Sequence, residues 1–97
     1  MPKGYWIGNI DVTDAETYSQ YQAFVRPFLA DNGGRFLVRG GRCDIVEGKM
    51  NSRQVVIEFD SYERAHSLYH SDSYRQGMKP RLRAATANFA IAEGLDG

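Results

Sequence analysis

The sequence predicts an α+β protein of the ferredoxin-like βαββαβ class, with a four-stranded antiparallel sheet and helices on one face. Two observations predict this class. Four segments rich in aromatic and β-branched residues alternate with two segments whose apolar residues recur at helical spacing. A chain of 97 residues also has room for only one thin core. We therefore expect a single domain over 1–97, with short tails at 1–3 and 95–97.

The charge and composition argue against several functional classes. Twelve Lys and Arg balance twelve Asp and Glu, whereas nonspecific nucleic-acid binding needs a basic surplus. The single cysteine, Cys43, cannot form an internal disulfide or a cysteine-based zinc site. No secretion signal is visible, and no apolar run approaches the ~20 residues of a membrane helix. We expect a cytoplasmic protein without nucleic-acid or membrane partners.

The first half of the chain predicts a strand, a helix and a second strand. Residues 5–12 are rich in aromatic and branched side chains, which is typical of a strand. Thr13 stands three residues before Glu16, which fits a capping box for a helix that begins at Asp14. Residues 32–34, Asn-Gly-Gly, end that helix. Its apolar face comprises Tyr18, Tyr21, Val25, Phe28 and Leu29.

The Gly40-Gly41 pair after the second strand, 35–39, admits two interpretations. It is either a tight hairpin turn or a bulge that bends one long strand continuing through 42–47. We prefer the bulge because residues 53–59 form the clearest strand and are the better hairpin partner.

The second half predicts a helix capped by Ser61, a fresh cap at Ser71-Asp72-Ser73, and a last strand over 88–93. Pro80 is expected to distort the helical turns after the fresh cap. The apolar face of these turns comprises Tyr74, Met78, Leu82 and Ala85.

The predicted strands carry apolar residues on both faces. Trp6 and Ile10 fall on one face of the first strand, whereas Tyr5 and Ile7 fall on the other. The helices can cover only one face, and the other would expose a large apolar patch. The simplest cover is the same face of a second copy related by a two-fold axis, which predicts a homodimer and a dimeric α+β barrel.

A family resemblance covers essentially the whole chain. Its most specific part is the run from Gly33 to Gly41, Gly-Gly-Arg-Phe-Leu-Val-Arg-Gly-Gly. Further parts are 5–7, 11–14, 56–59 and 71–74. In these residues the chain resembles the family catalogued as domain of unknown function 1330, of the dimeric α+β barrel superfamily. The resemblance supports the predicted fold and implies no catalytic residues, because the family has no established activity.

Polar residues on the presumed dimer-facing side of the sheet form the first candidate site. Asn9 should point the same way as Tyr5, and Glu58 the same way as Val56, with Arg39 on a neighbouring strand. A buried carboxylate needs a partner, so we expect an Arg39–Glu58 pair completed by Asn9. The pair is either a structural ion pair or a catalytic one, in which Arg39 binds an anionic or carbonyl group and Glu58 moves a proton.

A second candidate group is Tyr69, Tyr74 and Arg81, which could orient a phenolic or carboxylate ligand. The alternative is that Tyr74 belongs to the core and Arg81 extends to solvent. Trp6 could stack on a flat ligand or belong to the core.

His66, His70 and Glu63 share a helical face and are a plausible ligand set for a transition metal. Helices carry such triples by chance, so we assign no metal and expect no cofactor. The predicted function is the binding or transformation of a small aromatic or carboxylate metabolite in a pocket between sheet and helices. A non-catalytic ligand-binding, sensor or structural module is the alternative, and whether the protein is an enzyme is left open.

Overall fold

The computed structural model describes residues 2–96, which form four strands and four helices. In chain order these are β1 (Gly4–Val12), α1 (Ala15–Asp31), β2 (Arg35–Arg39), β3 (Arg53–Phe59), α2 (Tyr62–Tyr69), α3 (Asp72–Gly77), α4 (Lys79–Ala84) and β4 (Ala85–Glu93).

The four strands form one antiparallel sheet in the order β2-β3-β1-β4. The helices cover one side of it, and the core lies between the two layers. This arrangement confirms the predicted ferredoxin-like βαββαβ fold. We call the opposite side of the sheet the outer face. Tyr5, Ile7, Asn9, Val56 and Glu58 lie on it.

Trp6 is the centre of the aromatic core. It is fully buried, and its indole Nε1 donates a hydrogen bond to the carbonyl oxygen of Ala65 at 2.7 Å. The rings of Phe59, Tyr69 and Tyr74 lie 4.8–5.3 Å from the Trp6 ring, centroid to centroid. Trp6 therefore joins β1 to α2 as a core residue.

The start of α1 differs from the prediction by one residue. Asp14, not Thr13, is the N-cap, and its Oδ1 accepts from the backbone N–H of Thr17 at 3.2 Å. The hydroxyl of Thr13 instead donates to the carbonyl oxygen of Ala84 at 3.0 Å. Thr13 thus ties the end of β1 to the end of α4, which leaves Asp14 free to cap the helix.

The end of α1 and the later caps agree with the sequence. Asn32 ends α1 and Gly33 follows with φ of 82°, a left-handed conformation that favours glycine. Ser61 caps α2 by accepting from the N–H of Arg64, and Ser71 caps α3 by accepting from the N–H of Tyr74.

Neither interpretation of Gly40-Gly41 is correct. β2 ends at Arg39, and residues 40–52 form a loop that connects it to β3. Gly40 starts the loop with φ of 68°, and its N–H donates to the carbonyl oxygen of Gln54 at 2.8 Å.

A β-bulge does occur in β2, but at Leu37. The register with β3 shifts there, so that Phe36 lies opposite Ile57 and Val38 lies opposite Val56. The inserted residue reverses the alternation of side chains along the rest of the strand. Arg39 consequently lies opposite Val55, on the helix side of the sheet.

The turns after α2 break at Met78, because α4 restarts at Lys79 with Pro80 in its first turn. Because of this break, one residue of the predicted apolar face, Leu82, does not lie on the buried side. Leu82 is 60% exposed, whereas Arg81 and Ala84 are buried. The last strand also begins at Ala85, three residues before the predicted start.

Gly8 makes room for the ring of Phe89. A Cβ at position 8 would lie 2.5–2.7 Å from three atoms of that ring. We expect Gly8→Ala to destabilise the protein by about 1–3 kcal/mol, because the ring must move within a packed core. The matched control is Gly41→Ala, whose Cβ would have no atom within 4 Å. Urea unfolding measures both variants, and equal midpoints for the two would contradict the prediction.

Candidate functional site

A narrow cleft with an accessible volume of about 20 Å³ lies between α1 and the helix side of the sheet. We call it the α1 cleft. Val25 from α1, Ile57 from β3 and Phe89 from β4 supply much of its apolar lining, and Tyr18 and Tyr21 supply aromatic rings with hydroxyl groups. An apolar lining with a few polar groups is typical of a small-molecule site, but a volume that holds about one water molecule admits a ligand only if lining side chains move.

Three arginines from three elements also line the α1 cleft. They are Arg26 of α1, Arg39 of β2 and Arg53 of β3. No Asp or Glu of the described residues lines it, and none of the three arginines forms an ion pair within residues 2–96. The α1 cleft is therefore a region of unbalanced positive charge.

A fourth arginine, Arg81, lies behind the aromatic wall of the α1 cleft. Its side chain is only 4% exposed. Its guanidinium carbon lies 4.6 Å from the ring centroid of Phe89 and 5.4 Å from that of Tyr21. Its Nε is buried and has no hydrogen-bond partner among the described residues, and one terminal nitrogen lies 3.9 Å from the sulfur of Met78. The alternative in which Arg81 extends to solvent is wrong.

Tyr21 and Tyr74 meet beside Arg81, with their hydroxyl oxygens 2.7 Å apart. Burial raises the pKa of Tyr21 well above its ordinary value, and the neighbouring Tyr74 raises it further. Burial also raises the pKa of Tyr74, although the guanidinium of Arg81 opposes that rise. Both phenols are neutral at physiological pH, so neither supplies a negative charge to balance Arg81.

The structure divides the predicted site residues between the two sides of the sheet. Arg39, Trp6, Tyr69, Tyr74 and Arg81 lie on the helix side. Asn9 and Glu58 lie on the outer face. The sheet therefore separates Asn9 and Glu58 from the cleft between sheet and helices.

The partner of Glu58 is Arg35, so the predicted Arg39–Glu58 pair is wrong. Glu58 forms an ion pair with Arg35 and accepts a hydrogen bond from the hydroxyl of Tyr5 at 2.9 Å. The strand register explains the change, because Arg35 lies directly opposite Glu58, whereas Arg39 lies opposite Val55 on the helix side. The hydrogen bonds from Arg35 and then Tyr5 lower the pKa of the Glu58 carboxyl below its ordinary value.

Asn9 does not complete that network, because its side chain is engaged by the 40–52 loop. Its Oδ1 accepts from the backbone N–H of Asn51 at 2.9 Å, and its carbonyl oxygen accepts from the side chain of Asn51 at 3.1 Å. The neighbouring Asp11 accepts from Ser52 in the same way. Asn9 therefore anchors the loop that precedes β3.

His66 and His70 line a second and roomier cleft, of about 260 Å³, between α2 and the edge of β4. Their ring centroids lie 4.5 Å apart, and Trp6, Tyr69 and Phe89 also line this cleft. Within residues 2–96, Glu63 does not join the two histidines, and no three His, Cys, Asp or Glu side chains lie close enough to bind a metal ion.

Sequence reasoning missed Arg26 and Arg53 as lining residues. A signal was available for each. Arg26 follows Gln22 by four residues, beside the apolar stripe of α1. Arg53 precedes Val55 by two residues and so shares its face of β3.

The comparisons with known proteins agree on the fold. Residues 3–95 match the family described as a domain of unknown function (DUF1330). A crystal structure of a protein of unknown function from Rhodopseudomonas palustris is similar to this chain. It is 15% identical, with a TM-score of 0.76, over 99% of this chain and 85% of that one.

A second similar structure is that of SnoaB, a cofactor-independent oxygenase from Streptomyces nogalater. It is 11% identical, with a TM-score of 0.62, over 100% of this chain and 97% of that one. At these identities the two structures show a shared fold alone. No curated protein matches the chain. Among the described residues, no helix has the length and apolar character needed to span a membrane.

Proposed function

The chain belongs to the DUF1330 family, and on that premise we propose that it is a homodimer that binds a small aromatic or carboxylate metabolite in the α1 cleft. No cofactor enters the proposal. Arg39 would bind an anionic or carbonyl group of the ligand. Tyr74 and Arg81 lie behind the wall formed by Tyr21 and Phe89, and from there the positive charge of Arg81 would attract the anion.

The observation that carries the proposal is the uncompensated charge of Arg81. A guanidinium that is 4% exposed has no carboxylate partner among the described residues and an Nε without an acceptor. Burying a charge without a partner is costly. A bound anion in the neighbouring cleft would offset this cost, and a buried arginine without a carboxylate partner among residues 2–96, beside a cleft, fits a ligand-binding role.

The lining of the α1 cleft favours binding without turnover. None of its described lining residues is an Asp, Glu or His, and the buried phenols of Tyr21 and Tyr74 have raised pKa values. The cleft therefore offers no ionised general base at neutral pH. Glu58, the predicted proton carrier, lies on the outer face and forms an ion pair with Arg35. We propose that this pair is structural and lies at the dimer contact.

The homodimer is proposed from the outer face. Ile7, Leu37 and Val38 are 45%, 55% and 41% exposed. Val38 lies opposite Val56 on this face, and Ile7 lies in the central strand β1. The protein measures 38 × 34 × 18 Å, so the face is broad enough for the ~800 Å² per partner that a standard interface buries. Two outer faces packed together would form the dimeric α+β barrel.

A thermal-shift screen of the untagged protein tests the ligand proposal. We expect small aromatic carboxylates to raise the unfolding temperature and their neutral amides to raise it less, because ligand binding stabilises the folded state, by ~2.7 kcal/mol at one hundred times Kd. Mass spectrometry of each compound after incubation then separates binding from turnover. If no compound of either set shifts the transition, the proposed function is wrong.

A further inference from the structure

We infer that the ligand of the α1 cleft carries two negative charges on oxyanion groups, either one phosphate monoester or two carboxylates. This inference rests on the proposed function and specifies its ligand class. It comes from Arg26, Arg39 and Arg53, which line one cleft from three different elements of the fold.

The positive charge of the cleft is local. The whole chain has twelve basic and twelve acidic residues and no net charge. Even so, the described lining residues include three arginines and no acid. Glu58, an acidic residue of the same strand as Arg53, alternates to the outer face and pairs with Arg35. The cleft thus combines three guanidinium groups without internal neutralisation.

Arg53 is the best-defined of the three arginines. Its Nε is buried and has no hydrogen-bond partner within residues 2–96. Its guanidinium occupies the space beside Gly40, where a Cβ would lie 2.1 Å from one terminal nitrogen. Gly40 also has φ of 68°, which favours glycine. The start of the 40–52 loop is therefore shaped around the Arg53 guanidinium.

Arg39 is held over an aromatic ring. Its guanidinium carbon lies 5.2 Å from the ring centroid of Phe36, a contact that orients the planar group without using its N–H donors. Within residues 2–96 those donors form no ion pair, and neither do those of Arg26 and Arg53.

The number of guanidinium groups favours a doubly charged ligand. One carboxylate accepts a bidentate pair of hydrogen bonds from a single guanidinium, which would leave two of the three arginines without a partner. A phosphate monoester presents three acceptor oxygens, and a dicarboxylate presents four. Either group engages donors from more than one arginine and balances more of the charge.

Isothermal titration of the wild-type protein tests the inference with five probes: phenyl phosphate, inorganic phosphate, phthalate, benzoate and benzamide. We expect phenyl phosphate or phthalate to bind about tenfold or more tightly than benzoate, the effect of one additional charged contact. Inorganic phosphate shows whether the oxyanion alone is recognised, and the order of phenyl phosphate and phthalate identifies the kind of dianion.

Three variants complete the experiment. Arg53→Ala should remove the preference for the dianion over benzoate. Arg39→Ala should reduce the same preference. Because the Arg39 side chain is exposed, this second variant keeps the test available if Arg53→Ala fails to fold. Arg83→Ala is the matched control, because Arg83 is exposed on α4 and does not line the cleft.

The outcomes separate the two proposals. If benzoate binds as tightly as the dianions, or if both cleft variants keep the dianion preference, the inference is wrong and the proposed function stands. If none of the probes binds to the wild type, the inference and the proposed ligand class are both wrong.

Discussion

Ile7→Asp is expected to convert the proposed homodimer into a monomer at micromolar concentration. Ile7 lies at the middle of the central strand β1, with Val56 and Ala90 as its neighbours across the outer face. In a two-fold dimer each copy would contribute this residue to the apolar contact, so the substitution buries two carboxylates without partners. Light scattering should give twice the chain mass for the wild type and the chain mass for the variant.

The matched control is Leu82→Asp, which places the same charge on an exposed apolar residue of α4. It should leave the mass of the dimer unchanged. Circular dichroism should show both variants folded, because Ile7 is 45% exposed in the single chain. A monomeric wild type would refute the dimer, and a dimeric Ile7→Asp variant would exclude the outer face as the contact.

Arg81→Met is expected to weaken binding of anionic probes at least about tenfold without lowering stability. Methionine is apolar, unbranched and flexible, so it fills much of the space and removes the buried charge. Losing the contact with the Phe89 ring costs about 1 kcal/mol, but removing an unpaired buried charge offsets that loss. The free energy of unfolding should stay within about 1 kcal/mol of the wild type or rise.

Urea unfolding and calorimetric titration with benzoate measure the two effects of Arg81→Met. Arg75→Met, an exposed arginine of α3, is the control and should change neither. A large loss of stability in Arg81→Met would show that Arg81 serves the fold. Unchanged affinity would show that its charge does not reach the α1 cleft.

The sequence predicted the fold from patterns that depend only on neighbouring residues. The two-residue alternation of Trp6 and Ile10 against Tyr5 and Ile7 determines which side chains face the helices. The spacing of Tyr18, Tyr21, Val25 and Leu29 determines the buried face of α1. Asn32 with Gly33 determines where that helix ends.

The positions of the candidate site residues depend on a β-bulge and a helix break, which such patterns do not predict. The bulge at Leu37 adds one residue to β2, and this transfers Arg39 from the outer face to the helix side. Glu58 pairs with Arg35, which the strand register places directly opposite it. The break at Met78 rotates the next turn, so Arg81 is buried and Leu82 is exposed.

By itself the sequence determined the order of the elements, the faces of β1, β3 and α1, and the presence of apolar side chains on both sides of the sheet. Only the tertiary structure decided that Arg26, Arg39 and Arg53 line one cleft and that Arg81 is buried behind it, with no acidic partner in the part of the chain that the structure describes. The physical reason is the separation along the chain of the residues that interact. Alternation and capping are interactions between residues a few positions apart, whereas a strand register and a cleft depend on segments far apart in the chain.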